Sequence, residues 1–335
     1  MARLLNVGIA GATGAVGVEF LDLLARRDFP VGTLRLFGSK RSAGSTVRWK
    51  ERDIVVEELA SADPRGLDLG LFSAGKEVSK TEAPRFAEAG VVVVDNSSCF
   101  RKDPDIPLVV PELNADVLAT SPARIIANPN CSTIILLVAL GPLHRALGVS
   151  ECVVSTYQAV SGAGAQALAE LFGQARAFAA GQPEPFRFYD RPIHLNVIPK
   201  IGGWLPNGDT EEDAKFTTES QKILGDSRFK VWATTVRVPV ERCHSESVWV
   251  RFERPTSVDE VTRILSGAPG LKFDDLATPR ELARKPDVYV SRVRVDDDDP
   301  RVVRFWVVGD QLWKGAALNA IQIAEELVRL GRFGA

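Results

Sequence analysis

Short apolar runs alternate with helix-periodic stretches through the first 130 residues, and turn signals separate them. Residues 4–10 form a compact apolar run, followed at once by Gly11-Ala12-Thr13-Gly14-Ala15-Val16-Gly17 and an amphipathic stretch through Arg27. That pattern predicts strand, glycine turn, helix. Further strands are predicted over 33–37, 53–59, 67–72 and 91–94, with a helix around 81–89 and an extended segment over 107–112. Residues 125–127 read as a short strand leading through Asn128-Pro129-Asn130 into a helix that opens at Cys131. Its apolar run covers 134–140, and Gly141-Pro142 predicts the stop.

The rhythm then changes. A strand over 151–160 ends in Ser161-Gly162-Ala163-Gly164, and an alanine-rich helix follows to about 180. Residues 181–204 are irregular and rich in proline and aromatics, a texture often found against a partner subunit. A helix is predicted over 210–224, then period-two strands over 231–238, 247–252, 288–295 and 301–308, and a final amphipathic helix over 314–330. The acidic run 296–299 reads as a solvated turn. The predicted fold is α/β: a Rossmann-like dinucleotide-binding domain (1–130 plus the C-terminal helix, 314–331) and an α+β domain (131–313) with a mixed, largely antiparallel sheet.

Composition narrows the function classes. The chain has 335 residues, 45% apolar and 25% charged, with a formal net charge of −2. No global field favours nucleic acid or a membrane surface, and no apolar run reaches bilayer-spanning length. Four cysteines in so long a chain make no disulfide framework, and the three histidines lie far apart, so a zinc site is not expected. The N-terminus enters a strand almost immediately, which leaves no room for a signal peptide. A reducing cytoplasm is the expected location.

The glycine loop is G-x-x-G-x-x-G. Its small residues let backbone approach a pyrophosphate at a helix N-terminus, although the same spacing also suits an empty βα turn. After the second strand, Gly38-Ser39-Lys40-Arg41-Ser42-Ala43-Gly44 lacks the acid that an NAD site uses for ribose hydroxyls. It offers Arg41, Lys40 and two serines, which suit a 2′-phosphate, so NADP is expected over NAD.

Cys131, at a predicted helix start, lies over unpaired N–H groups and the positive end of the dipole. Both favour thiolate and could hold an oxyanion. Cys99, in the loop 95–101, is its main rival; Cys152 reads as core. Cys243 adjoins His244, but neighbours in extended chain point oppositely. His244, in a predicted turn between strands, is preferred as acid/base over His144, at the far end of the Cys131 helix, and His194, in the irregular stretch. Arg101, beside Asn96 and two serines, is a candidate oxyanion clamp. Gln158 lies near its strand's end, and Arg237 faces away from Val236 and Val238. Glu212 and Lys215 share a helix face, though Glu211 with Lys215 fits equally well.

These residues together resemble the bacterial aspartate-semialdehyde dehydrogenase family nearly end to end. The resemblance rests on Gly11 to Gly17, Arg41-Ser42-Ala43-Gly44, Val92-Val93-Val94-Asp95-Asn96 and Pro129-Asn130-Cys131-Ser132-Thr133. It continues through residues 155–164, Arg237-Val238-Pro239, His244-Ser245-Glu246-Ser247 and Lys314-Gly315-Ala316-Ala317. It implies NADP-dependent reductive dephosphorylation of L-4-aspartyl phosphate to L-aspartate 4-semialdehyde, reversibly, through a cysteine thioester. The reaction would serve the biosynthesis of lysine, methionine, threonine and diaminopimelate.

By the same resemblance Cys131 carries the acyl group, His244 is the acid/base and Gln158 orients the substrate. Arg237 would grip the substrate carboxylate and Glu212 its ammonium, while Arg101, Asn130 and Lys215 would hold phosphate. NADP would meet Gly11, Thr13, Gly14, Ala15, Val16, Arg41, Ser42, Ser161, Gly162 and Gln311; similar chains carry asparagine at position 311. A homodimer or homotetramer built from the second domain is implied, and no metal. The alternatives are an N-acetyl-gamma-glutamyl-phosphate reductase-like enzyme, which has no ammonium for Glu212 to meet, and a non-catalytic nucleotide-binding paralogue.

Overall fold

A computed structural model describes residues 3–334. They divide into two compact units, one of residues 3–130 with 316–334 and one of 131–315.

In chain order the first unit holds β1 (Leu5–Ala10), α1 (Ala15–Arg26), β2 (Val31–Gly38), β3 (Thr46–Trp49) and β4 (Arg52–Glu58). Then come β5 (Leu69–Phe72), α2 (Lys76–Glu88), β6 (Val92–Asp95), α3 (Pro111–Asn114), α4 (Val117–Thr120) and β7 (Ile125–Ala127). The described strands form one sheet in the order β3-β4-β2-β1-β5-β6-β7, parallel except for the edge strand β3. The chain proceeds outward from β1 to β2 and β4, then restarts on the other side at β5. That reversal opens a crevice at the carboxyl ends of the strands. Val7, Ile9, Leu69, Leu71 and Val92 to Val94 are buried, as expected for strands covered on both faces. Phe86 of α2 packs edge-on against Phe37 and Phe72, at 5.6 and 5.0 Å between centroids.

The second unit holds α5 (Cys131–Leu147), β8 (Val149–Gln158), α6 (Ala165–Ala179), α7 (Glu211–Leu224), β9 (Trp232–Arg237) and β10 (His244–Phe252). It continues with α8 (Val258–Ser266), β11 (Leu271–Phe273), α9 (Pro279–Leu282), β12 (Val288–Val295) and β13 (Val302–Gly309). Its described strands run β11-β12-β13-β10-β8-β9. The pairs β8/β9 and β11/β12 are parallel and the others antiparallel, so the sheet is mixed. Helix α5 lies against β8, β10, β12 and β13 on one face of this sheet. After it, α10 (Leu318–Arg329) belongs to the first unit. There Asn319 Nδ2 donates to Val109 O and Asn128 Oδ1 at 2.9 and 2.7 Å.

Four expectations need correction. The helix opened by Cys131 runs through Gly141-Pro142 to Leu147. Proline there removes one backbone bond and crowds the carbonyl four residues back, at about 3 kcal/mol. Ile134, Ile135, Leu136, Leu137, Leu140 and Leu143 are all buried on this helix. At roughly 1.5–3 kcal/mol each, their burial outweighs the proline penalty. Helix α2 begins at Lys76, not near 81, and carries Pro84 inside. His244 is not in a turn but is the first residue of β10, because β8 and β13 pair with that strand up to its start. The C-terminal helix begins with a π-helical turn over 313–317 before α10.

Candidate active site

In the first unit the glycine loop closes as its spacing predicts. Gly11 has φ +82°, and a Cβ on it would lie 2.3 Å from Ser73 O. A Cβ on Gly17 would lie 2.3 Å from Gly11 O, so the start of α1 sits against the β1 turn because both positions lack side chains. Gly14 precedes the first residue of α1, Ala15, and Val16 follows in its first turn. A cavity of about 570 Å³ opens here, lined among others by Gly11, Thr13, Gly14, Lys40, Arg41 and Ser42. Ser42 N–H and Oγ both donate to Ser39 O, shaping the basic turn. Glu58 and Glu77 also line this cavity; they come from β4 and α2, outside the basic loop. Arg101 is buried, and its Nη2 donates to Asn96 O at 2.8 Å.

The second unit gathers most of the remaining candidates. Gln158 and Arg237 end the parallel strands β8 and β9 and are register partners. Arg237 Nη1 donates to Ala159 O at 2.7 Å, and Ala159 N–H donates to His244 Nδ1 at 3.0 Å. One residue after the strand therefore aligns a guanidinium and an imidazole. Gly162 lies beneath both: a Cβ there would be 2.9 Å from His244 Cε1 and 3.2 Å from Arg237 Nη1. Gln158 Nε2 donates to Glu212 Oε1 at 3.3 Å, and Lys215 Nζ donates to Glu212 Oε2 at 2.8 Å. Glu211 instead accepts from Gly203 N–H. Helix α7 holds Glu212 in its first turn through a capping box between Thr210 and Asp213.

Cys131 heads α5 and is half buried. A Cβ on Gly315 would lie 2.7 Å from Cys131 Cβ, so glycine admits the closing chain. One turn on, Ile135 packs under Gly309, the β13 partner of His244. Cys131 thus lies against Gly315, and His244 pairs with Gly309 earlier in the same segment. The other cysteines fit poorly as nucleophiles. Burial raises the thiol pKa of Cys99 above its ordinary value, with Asp95 adding to the rise. Burial raises those of Cys152 and Cys243 much further.

His244 is fully buried. Desolvation and the Arg237 charge pull its pKa down to about 3, against an opposing pull from Glu212. The imidazole is neutral. Because Nδ1 accepts from an amide, the ring proton sits on Nε2, and neither Nε2 nor Arg237 Nε has a hydrogen-bond partner among the described residues. His144 accepts from Val149 N–H and His194 pairs with Glu184, both away from this cluster.

Two expected cofactor contacts carry bonds of their own. Gln311 Nε2 donates to Ser161 Oγ at 2.7 Å, Gln311 Oε1 accepts from Cys243 N–H at 2.8 Å, and Ser161 Oγ donates to Glu241 O at 2.5 Å. Sequence reasoning passed over Asp310 and Glu246, both buried. Glu246 shares the His244 face of β10, its oxygens have no partner among the described residues, and burial raises its pKa well above the ordinary value. An acid flanked by His244, Ser245 and a period-two apolar strand was the available signal.

The two units match, in order, the family models for the semialdehyde dehydrogenase NAD binding domain, over residues 6–121, and the semialdehyde dehydrogenase dimerisation domain, over residues 140–314. That sets the class. The aspartate-semialdehyde dehydrogenase of Mycolicibacterium smegmatis is 46% identical over 343 residues, covering 97% of this chain and 99% of that protein. The crystal structure of aspartate semialdehyde dehydrogenase II complexed with ASA from Vibrio cholerae superposes with a TM-score of 0.95 at 44% identity. It covers 98% of this chain and 99% of that one. The Candida albicans enzyme, solved with NADP, has a TM-score of 0.77 at 28% identity, covering 98% and 100%. The chain belongs to the aspartate-semialdehyde dehydrogenase family.

Proposed function

We propose that the protein interconverts L-4-aspartyl phosphate and L-aspartate 4-semialdehyde with NADP, through a thioester on Cys131. The observation that carries this reading is the chain Gln158–Glu212–Lys215 beside Arg237 and His244. An amino-acid substrate presents one carboxylate and one ammonium. Arg237 and Glu212 are a buried cation and anion of matching type, each held by backbone or side-chain bonds before substrate arrives.

The first unit fits a dinucleotide. Its turn excludes any Cβ at Gly11, leaving N–H groups at the start of α1 for a pyrophosphate, and Arg41 and Ser42 line the same cavity. Gly11, Thr13, Gly14, Ala15, Val16, Arg41 and Ser42 would hold NADP there. Ser161, Gly162 and Gln311 would complete the set, with a contact from the Gln311 amide replacing its bond to Ser161. Bound NADP supplies the hydride acceptor in the oxidative direction.

In that direction the Cys131 sulfur adds to the aldehyde carbon, and donors of the α5 first turn stabilise the resulting oxyanion. Gln158 orients the carbonyl, and His244 acts as the acid, donating its Nε2–H to the adduct oxygen; Cys131 adds as thiolate, so no proton has to be taken up at that nitrogen. Phosphate held by Arg101, Asn130 and Lys215 then attacks the thioester, and the thiolate leaves. The decisive assay is phosphate-dependent NADP reduction with L-aspartate 4-semialdehyde, compared with N-acetylglutamate 5-semialdehyde. Turnover of the acetylated aldehyde alone would overturn the substrate assignment.

The same proposal includes a homodimer or homotetramer in the cytoplasm. On the outward-facing side of β8 and β9, Val153, Tyr157 and Trp232 are exposed, and the irregular segment adds exposed Leu195, Val197 and Trp204. Val153 and Trp232 are register partners, so they form one patch. All four cysteines are free thiols, which suits a reducing compartment. Sedimentation of Trp232→Glu would show weakened self-association; an unchanged assembly would exclude this face.

A further inference from the structure

Buried Asp310 makes more charge-assisted contacts than its place after a strand requires. Its Oδ2 accepts from Arg242 Nε and from Arg284 N–H, both at 2.6 Å. Its Oδ1 accepts from Leu312 N–H and Trp313 N–H, both at 3.0 Å, and its backbone oxygen accepts from Gly315 N–H at 3.0 Å. The side chain of Asp310 is fully buried and that of Arg242 nearly so.

These bonds tie together two pieces of chain that matter for the chemistry. Arg242 is two residues before His244, and the intervening Cys243 has φ +71°, a backbone region that side-chain-bearing residues rarely adopt. On the other side, Oδ1 folds the chain after Gly309 into the π-helical turn 313–317, which sets Gly315 against Cys131. Gly309, immediately before Asp310, is the register partner of His244. One carboxylate therefore fixes the approach to the imidazole and the turn that abuts the backbone and Cβ of Cys131.

We propose that Asp310, paired with Arg242, is a positioning residue that holds Cys131 and His244 in mutual register. It touches neither group and acts only through the segments 242–244 and 312–315. The proposal rests on the thioester role given to Cys131 above. Displacing either segment by about 1 Å costs on the order of 100-fold in rate without weakening substrate binding.

The test compares wild type, Asp310→Asn, Arg242→Lys and a control, Val250→Ala, which empties buried volume on β10 away from the clamp. Three quantities are read: kcat per titratable Cys131, KM for both substrates, and the pH midpoint of Cys131 alkylation by iodoacetamide followed by peptide mass. Asp310→Asn keeps an acceptor for one partner pair and presents an amide N–H to the other. Its kcat is expected to fall about 100-fold with both KM values within twofold and the alkylation midpoint moved. Arg242→Lys keeps the charge and loses the planar fork, and should show the same pattern at about tenfold. It decides the matter if Asp310→Asn does not fold. Val250→Ala should lower Tm and leave kcat per site unchanged. A kcat per site within twofold of wild type in the folded variant, a loss confined to KM, or an unmoved alkylation midpoint overturns the positioning role. Absent turnover in wild type overturns the proposed reaction alone, because the alkylation midpoint still reports on Asp310.

Discussion

The cavity proposed for the nucleotide in the first unit and the buried cluster of the second solve the problem of polar recognition in opposite ways. The cavity is built from backbone and from exposed side chains: Gly11 and Gly17 work by lacking a Cβ, and Lys40 and Arg41 stand in solvent. In the cluster, Gln158, Glu212, Arg237 and His244 are all buried and bonded to one another or to Ala159. A solvated cation is screened and replaceable. A buried one is costly to remove, because its partners stay behind without compensation. The contrast predicts a gradient of mutational effects.

The largest effect should come from Arg237→Lys. The single ammonium cannot reproduce the fork that holds Ala159 O while meeting a carboxylate. A loss of about 2–4 kcal/mol, roughly 30- to 1,000-fold, is expected in kcat/KM for the semialdehyde, with KM for NADP unchanged. Steady-state kinetics at saturating NADP would show it; full kcat/KM would erase the contrast between the two regions.

Next is the pH dependence of stability. Glu246 has a folded pKa above its unfolded value, so its contribution is whole below pH 4.5 and declines as pH rises beyond that. His244 has a folded pKa near 3 against 6.5 unfolded, so its contribution is whole above 6.5 and declines as pH falls below. The His244 slope is common to wild type and Glu246→Gln and cancels in their difference, so Glu246→Gln should gain stability relative to wild type as pH rises above 4.5 in urea denaturation. A difference that does not change with pH would show that Glu246 ionises in the folded protein.

The smallest effect belongs to the cavity. Arg41→Ala should raise KM for NADPH about five- to tenfold, near 1 kcal/mol, and leave KM for NADH unchanged, as fits an exposed charge meeting a 2′-phosphate. Equal changes for both nucleotides would remove Arg41 from phosphate recognition.

The same contrast explains what could be read from the chain alone. The turn from β1 to α1 was legible because glycine spacing and apolar runs are local, and a left-handed Gly11 has few other uses. The Cys131 helix start was legible for the same reason, but its end was not. Burial of residues 132–141 with Leu143 and Leu147 overrides the local preference of Gly141-Pro142, and burial is a property of the fold. His244 looked like a turn residue because its neighbours are polar; pairing with Gly309 and Tyr157's strand makes that segment β10. Asp310 and Arg242 lie 68 positions apart, and no periodicity links them.

The central claim is that Cys131 captures the acyl group before phosphate does. Rapid mixing with NADP and L-aspartate 4-semialdehyde in the absence of phosphate tests it directly. Wild type should give a burst of NADPH equal to the active thiol concentration and then stop, while Cys131→Ala should give none. A burst that survives in Cys131→Ala would contradict the account.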